Sequence, residues 1–267
     1  MRGIKYCFIL LIIIILTSCG AGQSSKADVK MESVSDSYNK SFETQRLKSL
    51  ELKLENADIN FDSWAKKEVK VEIETQITGE GKRDKLEKSI SEDKPKVTFT
   101  DDVLSISEAN TSKNKKVTVL NKIKISAPCE VRNLLLSVKN GSFTSNGDVI
   151  TSAAMKVEKG NINLSRFQGA IDAKVINGNI AVESGRLSGA SSIFSEAGNV
   201  NIKTEILTNE SYKFEVGVGN IDLKLPAKTY GDFSCQGNIA VNEFKSTTNG
   251  PKILVSAREG AINLKKY

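Results

Sequence analysis

A five-residue pattern returns through the second half of the chain, and it constrains the fold more than any other feature. It reads Gly160-Asn161-Ile162-Asn163-Leu164, then Gly178-Asn179-Ile180-Ala181-Val182, Gly198-Asn199-Val200-Asn201-Ile202, Gly219-Asn220-Ile221-Asp222-Leu223, Gly237-Asn238-Ile239-Ala240-Val241 and Gly260-Ala261-Ile262-Asn263-Leu264. Units this short cannot bury an apolar face alone, so they must stack on one another. Apolar residues also stand five and three places before the glycines, as Met155/Val157 and Phe214/Val216 do. Same-parity apolar residues on both sides of a glycine turn are the mark of strands with one buried face.

The expected fold is therefore all-β, a parallel β-solenoid of stacked short strands. An antiparallel β-meander is the alternative, because Asn140-Gly141 and Asn177-Gly178 are good type I′ hairpin turns. The asparagines favour stacking. Asn161, Asn179, Asn199, Asn220 and Asn238 hold one position in successive units, as expected of a structural turn ladder whose amides bond at about 4.8 Å per step. Without the glycine the template reaches back to Leu52/Leu54 with Ile59/Phe61 and to Val97/Phe99 with Leu104/Ile106. Residues 46–267 are read as one β-strand-repeat domain, with degenerate rungs over 46–138 and regular rungs over 139–267.

Ahead of this body, Arg2 and Lys5 precede an apolar run from Cys7 to Leu16. The run is too short to span a bilayer and has the length of a signal-peptide core. It ends in Leu16-Thr17-Ser18-Cys19, which resembles the lipobox of bacterial lipoproteins. That resemblance implies cleavage before Cys19, a diacylglycerol on its thiol and a membrane partner through that lipid. The division is then a signal peptide over 1–18, a lipidated Cys19 with a flexible polar tether over 19–45, and the body. Leu86 to Asp93 is read as a short helical turn, and Trp64 as a cap on the first rung.

The chemistry is bounded by absences. There is no histidine among the 267 residues, which excludes Ser-His-Asp and Cys-His catalysis and histidine metal sites. The outward acids Asp172, Glu183 and Asp222 are matched in other repeats by alanine, asparagine or lysine, so no carboxylate cluster for sugar cleavage or calcium is expected. No catalytic, metal or cofactor-binding residue is assigned. The net charge of +6 is spread over both halves without interleaved aromatics, and no nucleic-acid partner is expected. Cys129 and Cys235 lie several repeats apart, too far for a disulfide, and both are expected as thiols.

The Gly-Asn/Asp-Ile/Val turns, together with Leu50-Glu51-Leu52-Lys53-Leu54-Glu55-Asn56-Ala57-Asp58-Ile59 and Ile123-Lys124-Ile125-Ser126-Ala127-Pro128, resemble the bacterial putative-adhesin family of β-strand-repeat proteins, a domain of unknown function. The resemblance implies export or membrane attachment, a β-helix-like body and adhesion as the suggested role. It supplies no catalytic residues. The chain departs from the pattern at Asp232 and Ser234, where apolar residues are expected, so the rung near Gly237 is expected to be distorted.

The reading is a lipid-anchored protein of the bacterial envelope, on the outer membrane or cell surface, whose non-enzymatic body works as an adhesin-like binding or structural module for a protein or glycan. An envelope-stress sensor or assembly factor that binds membrane proteins or lipids is the second reading, and a carbohydrate-active enzyme the third. Homotypic association is placed at the C-terminal edge, where Lys265, Lys266 and Tyr267 follow the last repeat.

Overall fold

The computed structural model describes residues 31–80, 83–108, 117–208 and 210–267. The signal segment and Cys19 lie outside the described residues. The first elements are β1 (Met31–Glu43), β2 (Leu47–Trp64), β3 (Glu68–Glu80), α1 (Arg83–Asp93), β4 (Lys96–Thr100), β5 (Val103–Ser107), β6 (Val117–Pro128) and β7 (Glu130–Asn140). The repeats supply β8 (Phe143–Lys159), β9 (Ile162–Gly169), β10 (Ile171–Asn177), β11 (Ile180–Leu187), β12 (Ser191–Ala197), β13 (Val200–Lys203), β14 (Glu205–Ile206), β15 (Ser211–Val218), β16 (Ile221–Leu225), β17 (Asp232–Asn242) and β18 (Lys252–Lys266).

Strand alternation works as the template requires. In β10, Ile171, Ala173 and Val175 are buried while Asp172 and Lys174 face water. Each such strand pairs in parallel with the equivalent strand one unit away, so that Ala153, Ile171, Ser191, Tyr212 and Ile253 form one inward column. One hydrophobic core, from Leu47 to Leu264, runs through all the units.

The architecture is neither the expected solenoid nor the meander. It is all-β, but a closed nine-strand parallel barrel with further strands outside it. The pairings run β8–β10–β12–β15–β18 along one wall and return β18–β16–β13–β11–β9–β8 along the other. Two long strands make the closure. β8 pairs with β9 through Phe143 and with β10 through Ala153, and β18 pairs with β15 before Gly260 and with β16 after it. A corner that keeps its strand hydrogen-bonded on both sides joins the two walls, whereas a stack of independent rungs leaves them separate.

Outside the ring, the N-terminal part departs further from the template. β2 lies parallel to β5, β6, β7 and β8, but β3 is antiparallel to β6 and β1 antiparallel to β3. The segment read as a rung at Val97/Phe99 and Leu104/Ile106 is an antiparallel hairpin of β4 and β5. Its turn residues Asp101 and Asp102 have φ of 54° and 63°, as a type I′ turn demands of both central residues. Residues 31–43 of the expected tether form β1. Helix α1 is longer than expected, and its Leu86 and Ile90 pack on Val34 and Ile77. Trp64 is half-buried, and its Nε1 donates to the Glu68 carbonyl at 2.9 Å.

At the other end, β18 is not the outer strand. β17 precedes it in the chain yet lies beyond it, with Phe233 opposite Ile253 and Ile239 opposite Ile262. The distortion expected near Gly237 is present as register shifts at Gln236/Asn238 and Ile239/Val241. Cys129 and Cys235 are both free thiols.

Candidate binding surface

The repeat turns at Gly160, Gly178, Gly198, Gly219 and Gly260 are each fixed by a backbone approach that only glycine permits. Gly178 has φ of 143°, and a Cβ placed on it would lie 1.9 Å from the Gly160 carbonyl oxygen. Stacking at this distance brings the next residue, asparagine, over its counterpart. The Asn179 N–H donates to Asn161 Oδ1 at 2.8 Å, the Asn199 N–H to Asn179 Oδ1 at 2.8 Å, and the Asn220 N–H to Asn199 Oδ1 at 2.9 Å. The series continues to the Ala261 N–H, which donates to Asn220 Oδ1, and starts from the Asn161 N–H on Ser142 Oγ. Asn238 stands on β17, opposite Ala261. These amides spend their acceptors on the adjacent turn, so the ladder orders the corner and leaves little for a ligand.

The wall that follows the ladder carries the more chemically distinctive set. Its outward positions hold Asn163, Ala181, Asn201, Asp222 and Asn263 in one register column. Two residues on, Lys203, Lys224 and Lys265 stand side by side on β13, β16 and β18. Neighbouring parallel strands are about 4.8 Å apart, and like charges directly opposed across strands oppose pairing by roughly 0.2–1 kcal/mol per pair. Two local features offset part of this. Lys265 Nζ lies 3.3 Å from Asp222 Oδ2, and Lys203 Nζ sits 4.7 Å from the Tyr267 ring centroid. Burial, then the nearby Glu205 carboxylate, pushes the Tyr267 phenol above its ordinary pKa. Among the described residues, the buried Oδ1 of Asp222 accepts no hydrogen bond, and Lys224 Nζ is 3.9 Å from it.

Small Ala181 between two asparagines leaves a dent of about 260 Å³, lined by Glu183, Asn201, Lys203, Asp222 and Lys224. Glu183 and Asp222 therefore share one depression. The third outward acid, Asp172, lines a separate groove of about 440 Å³ with Ser192, Lys213 and Lys252. Among the described residues no three His, Cys, Asp or Glu side chains come together in a metal-binding group. The lysine column was legible in the sequence as the residue five places after Gly198, Gly219 and Gly260, but only the register shows that the three side chains are neighbours.

No family model matches the chain, and no curated protein matches it. Solved structures do. A "putative adhesin" from Bacteroides fragilis aligns with 87% of this chain and 97% of its own at 14% identity, with a TM-score of 0.45. A "putative cell adhesion protein" from Clostridium sporogenes aligns with 88% and 100% at 15% identity and a TM-score of 0.33. A "putative lipid binding protein" from Parabacteroides distasonis aligns with 87% and 97% at 15% identity and a TM-score of 0.31. At such scores the likenesses describe those proteins and carry no argument about the action of this one.

Proposed function

We propose that the chain is a lipid-anchored protein of the bacterial envelope that acts as an adhesin-like binding module, and that its ligand side is the wall of β9, β11, β13, β16 and β18. The in-register column of Lys203, Lys224 and Lys265 carries this reading. Three ammonium groups held side by side, their charge offset in part by Asp222 beside Lys224 and Lys265, form a linear cationic comb, flanked by the amides of Asn163, Asn201 and Asn263 and the ring of Tyr267. Such a comb fits an extended anionic polymer, whose acid groups approach from solvent and whose hydroxyls meet the amides. Anchoring rests on the lipobox-like Leu16-Thr17-Ser18-Cys19 after the apolar run. Among the described residues no helix is long and apolar enough to cross a membrane.

The test pairs two measurements on the full chain. Replacing Lys203, Lys224 and Lys265 together by glutamate should abolish retention on immobilised polygalacturonate while a neutral glucan column retains neither protein, and the wild-type retention should weaken with salt. Equal retention of the variant and the parent would remove this wall from the reading. Separately, cells fed an alkyne-tagged palmitate should label the wild type and not Cys19→Ala; label on both would locate the lipid elsewhere.

A further inference from the structure

The five turn copies at Gly160, Gly178, Gly198, Gly219 and Gly260 place an Ile or Val two residues on, and Ile162, Ile180, Val200, Ile221 and Ile262 are all fully buried. The sixth copy does not follow. Ile239 is 45% exposed, and Gln236, Gly237, Asn238 and Ala240 around it are exposed as well. The cause is the place of β17. It pairs with β18 on one side, and among the described residues no strand pairs with its other side. The Phe233 N–H on that outer side is taken by Ser246 Oγ at 2.9 Å, and Phe244, stacked on Phe233 with centroids 5.1 Å apart, covers the core beneath. From Cys235 to Val241 no comparable cover is present among the described residues.

We infer that this edge is an interface between two copies of the chain, formed by antiparallel pairing of β17 with β17 of the second copy around Asn238. Three observations select a second copy over a foreign strand. Between Phe233 and Asn242 there is no charged residue and no proline, so two of the devices that repel a like edge are missing, and no like charges meet when the strand faces itself. Ile239, exposed because nothing covers this edge, gives each copy an apolar side chain to set against the other. Finally, β1 and β4 each pair with one strand only, but they carry charged side chains, Asp36, Lys40 and Glu43 on β1 and Lys96 on β4, which makes them poorer partners for a neutral edge than a second β17. The self-facing arrangement closes after two copies.

Seven residues of strand contact fall short of the roughly 1,000 Å² that a stable interface buries, so the dimer is weak in solution and favoured where copies are concentrated on one membrane. It uses β17, and the strand previously expected at the edge, β18 with Lys265 and Lys266, is interior to it.

Cys235 lies within the pairing stretch and reports on it. In this register Cys235 of one copy stands opposite Val241 of the other, so the two thiols lie about 20 Å apart, six residues at about 3.4 Å each. Full-length Cys129→Ser protein in detergent solution, treated with a bismaleimide of that reach, should give a dimer on denaturing gels whose amount rises with protein concentration and whose linked peptide joins Cys235 to Cys235. Ile239→Lys and, independently, Asn238→Lys should cut the yield by about tenfold, since a lysine on a strand edge opposes pairing, with circular dichroism unchanged because both side chains are exposed. Sedimentation should approach two copies and stop there. Cross-linking equal in parent and variants, links mapped elsewhere, a monomer at all concentrations, or growth beyond two copies would each overturn the inference.

Discussion

Gly178 shows how narrowly single residues are specified. Its left-handed φ and the 1.9 Å approach of a hypothetical Cβ to the Gly160 carbonyl leave no rotamer or side-chain movement that relieves the clash. Gly178→Ala should therefore cost more than about 3 kcal/mol, well above the roughly 1 kcal/mol of an ordinary Gly-to-Ala strain, read as a fall in the urea midpoint. Glu108 is specified differently. Its carboxylate accepts from the Glu55 N–H at 2.9 Å and from Asn121 Nδ2 at 2.7 Å, while Thr75 Oγ1 donates to Asn121 Oδ1 at 2.8 Å. Burial outweighs these bonds and raises the Glu108 pKa. Since the folded value lies above the unfolded one, the contribution is fully present below the usual glutamate range and is lost as pH rises through the folded value. Glu108→Gln, which does not ionise, should be less stable than the parent at pH 4 but lose less between pH 4 and pH 7; parallel pH dependences in denaturant titrations would contradict this.

Between residues and the whole, the elements divide into those that the repeat dictates and those that it does not. Strands β9 to β16 follow from glycine spacing and alternation, and their inward residues were readable directly. The β4–β5 hairpin was misread because its alternation matches a rung on both sides of Asp102, and alternation does not distinguish a strand that reverses from one that turns a corner. Aspartate at both turn positions was the signal available, since consecutive residues with positive φ belong to a type I′ turn. Asp102 is further held by Thr44 Oγ1, which donates to its Oδ1 at 2.8 Å, and by Lys48 Nζ at 3.4 Å. Asp102→Ala removes both contacts and places a residue less tolerant of that backbone in the turn. It should lower stability by about 1–2 kcal/mol, with amide exchange accelerating first in Lys96–Ser107, whereas uniform acceleration would mean that the hairpin does not open on its own. β1 was hidden by composition, because Ser33, Ser35, Ser37 and Ser41 read as tether while the other face of the same strand, with Val34, Tyr38 and Phe42, packs inward.

At the scale of the molecule, the closed ring changes how the fold should fail. In an open array each unit contacts only its neighbours, and losing the last one shortens the protein without unfolding the rest. Here β18 is the strand through which the wall of β10, β12 and β15 meets the wall of β11, β13 and β16. Periodicity could not reveal this, because it reports what each unit buries and is silent on whether one strand serves two walls. The candidate binding wall depends on the same closure, since Lys265 and Tyr267 come from β18 and the residue after it. Breaking β18 with Val255→Pro removes a ladder donor and cannot be repacked, because Val255 is fully buried between Phe214 and Cys235 in the register. The expected result is loss of protection at β8 through β16 together, in one cooperative transition, with the retention on polygalacturonate lost at the same denaturant concentration. If β8 to β13 instead keep their slow amide exchange while only β15 to β18 become labile, the units are energetically independent and the ring of pairings does not couple the two walls.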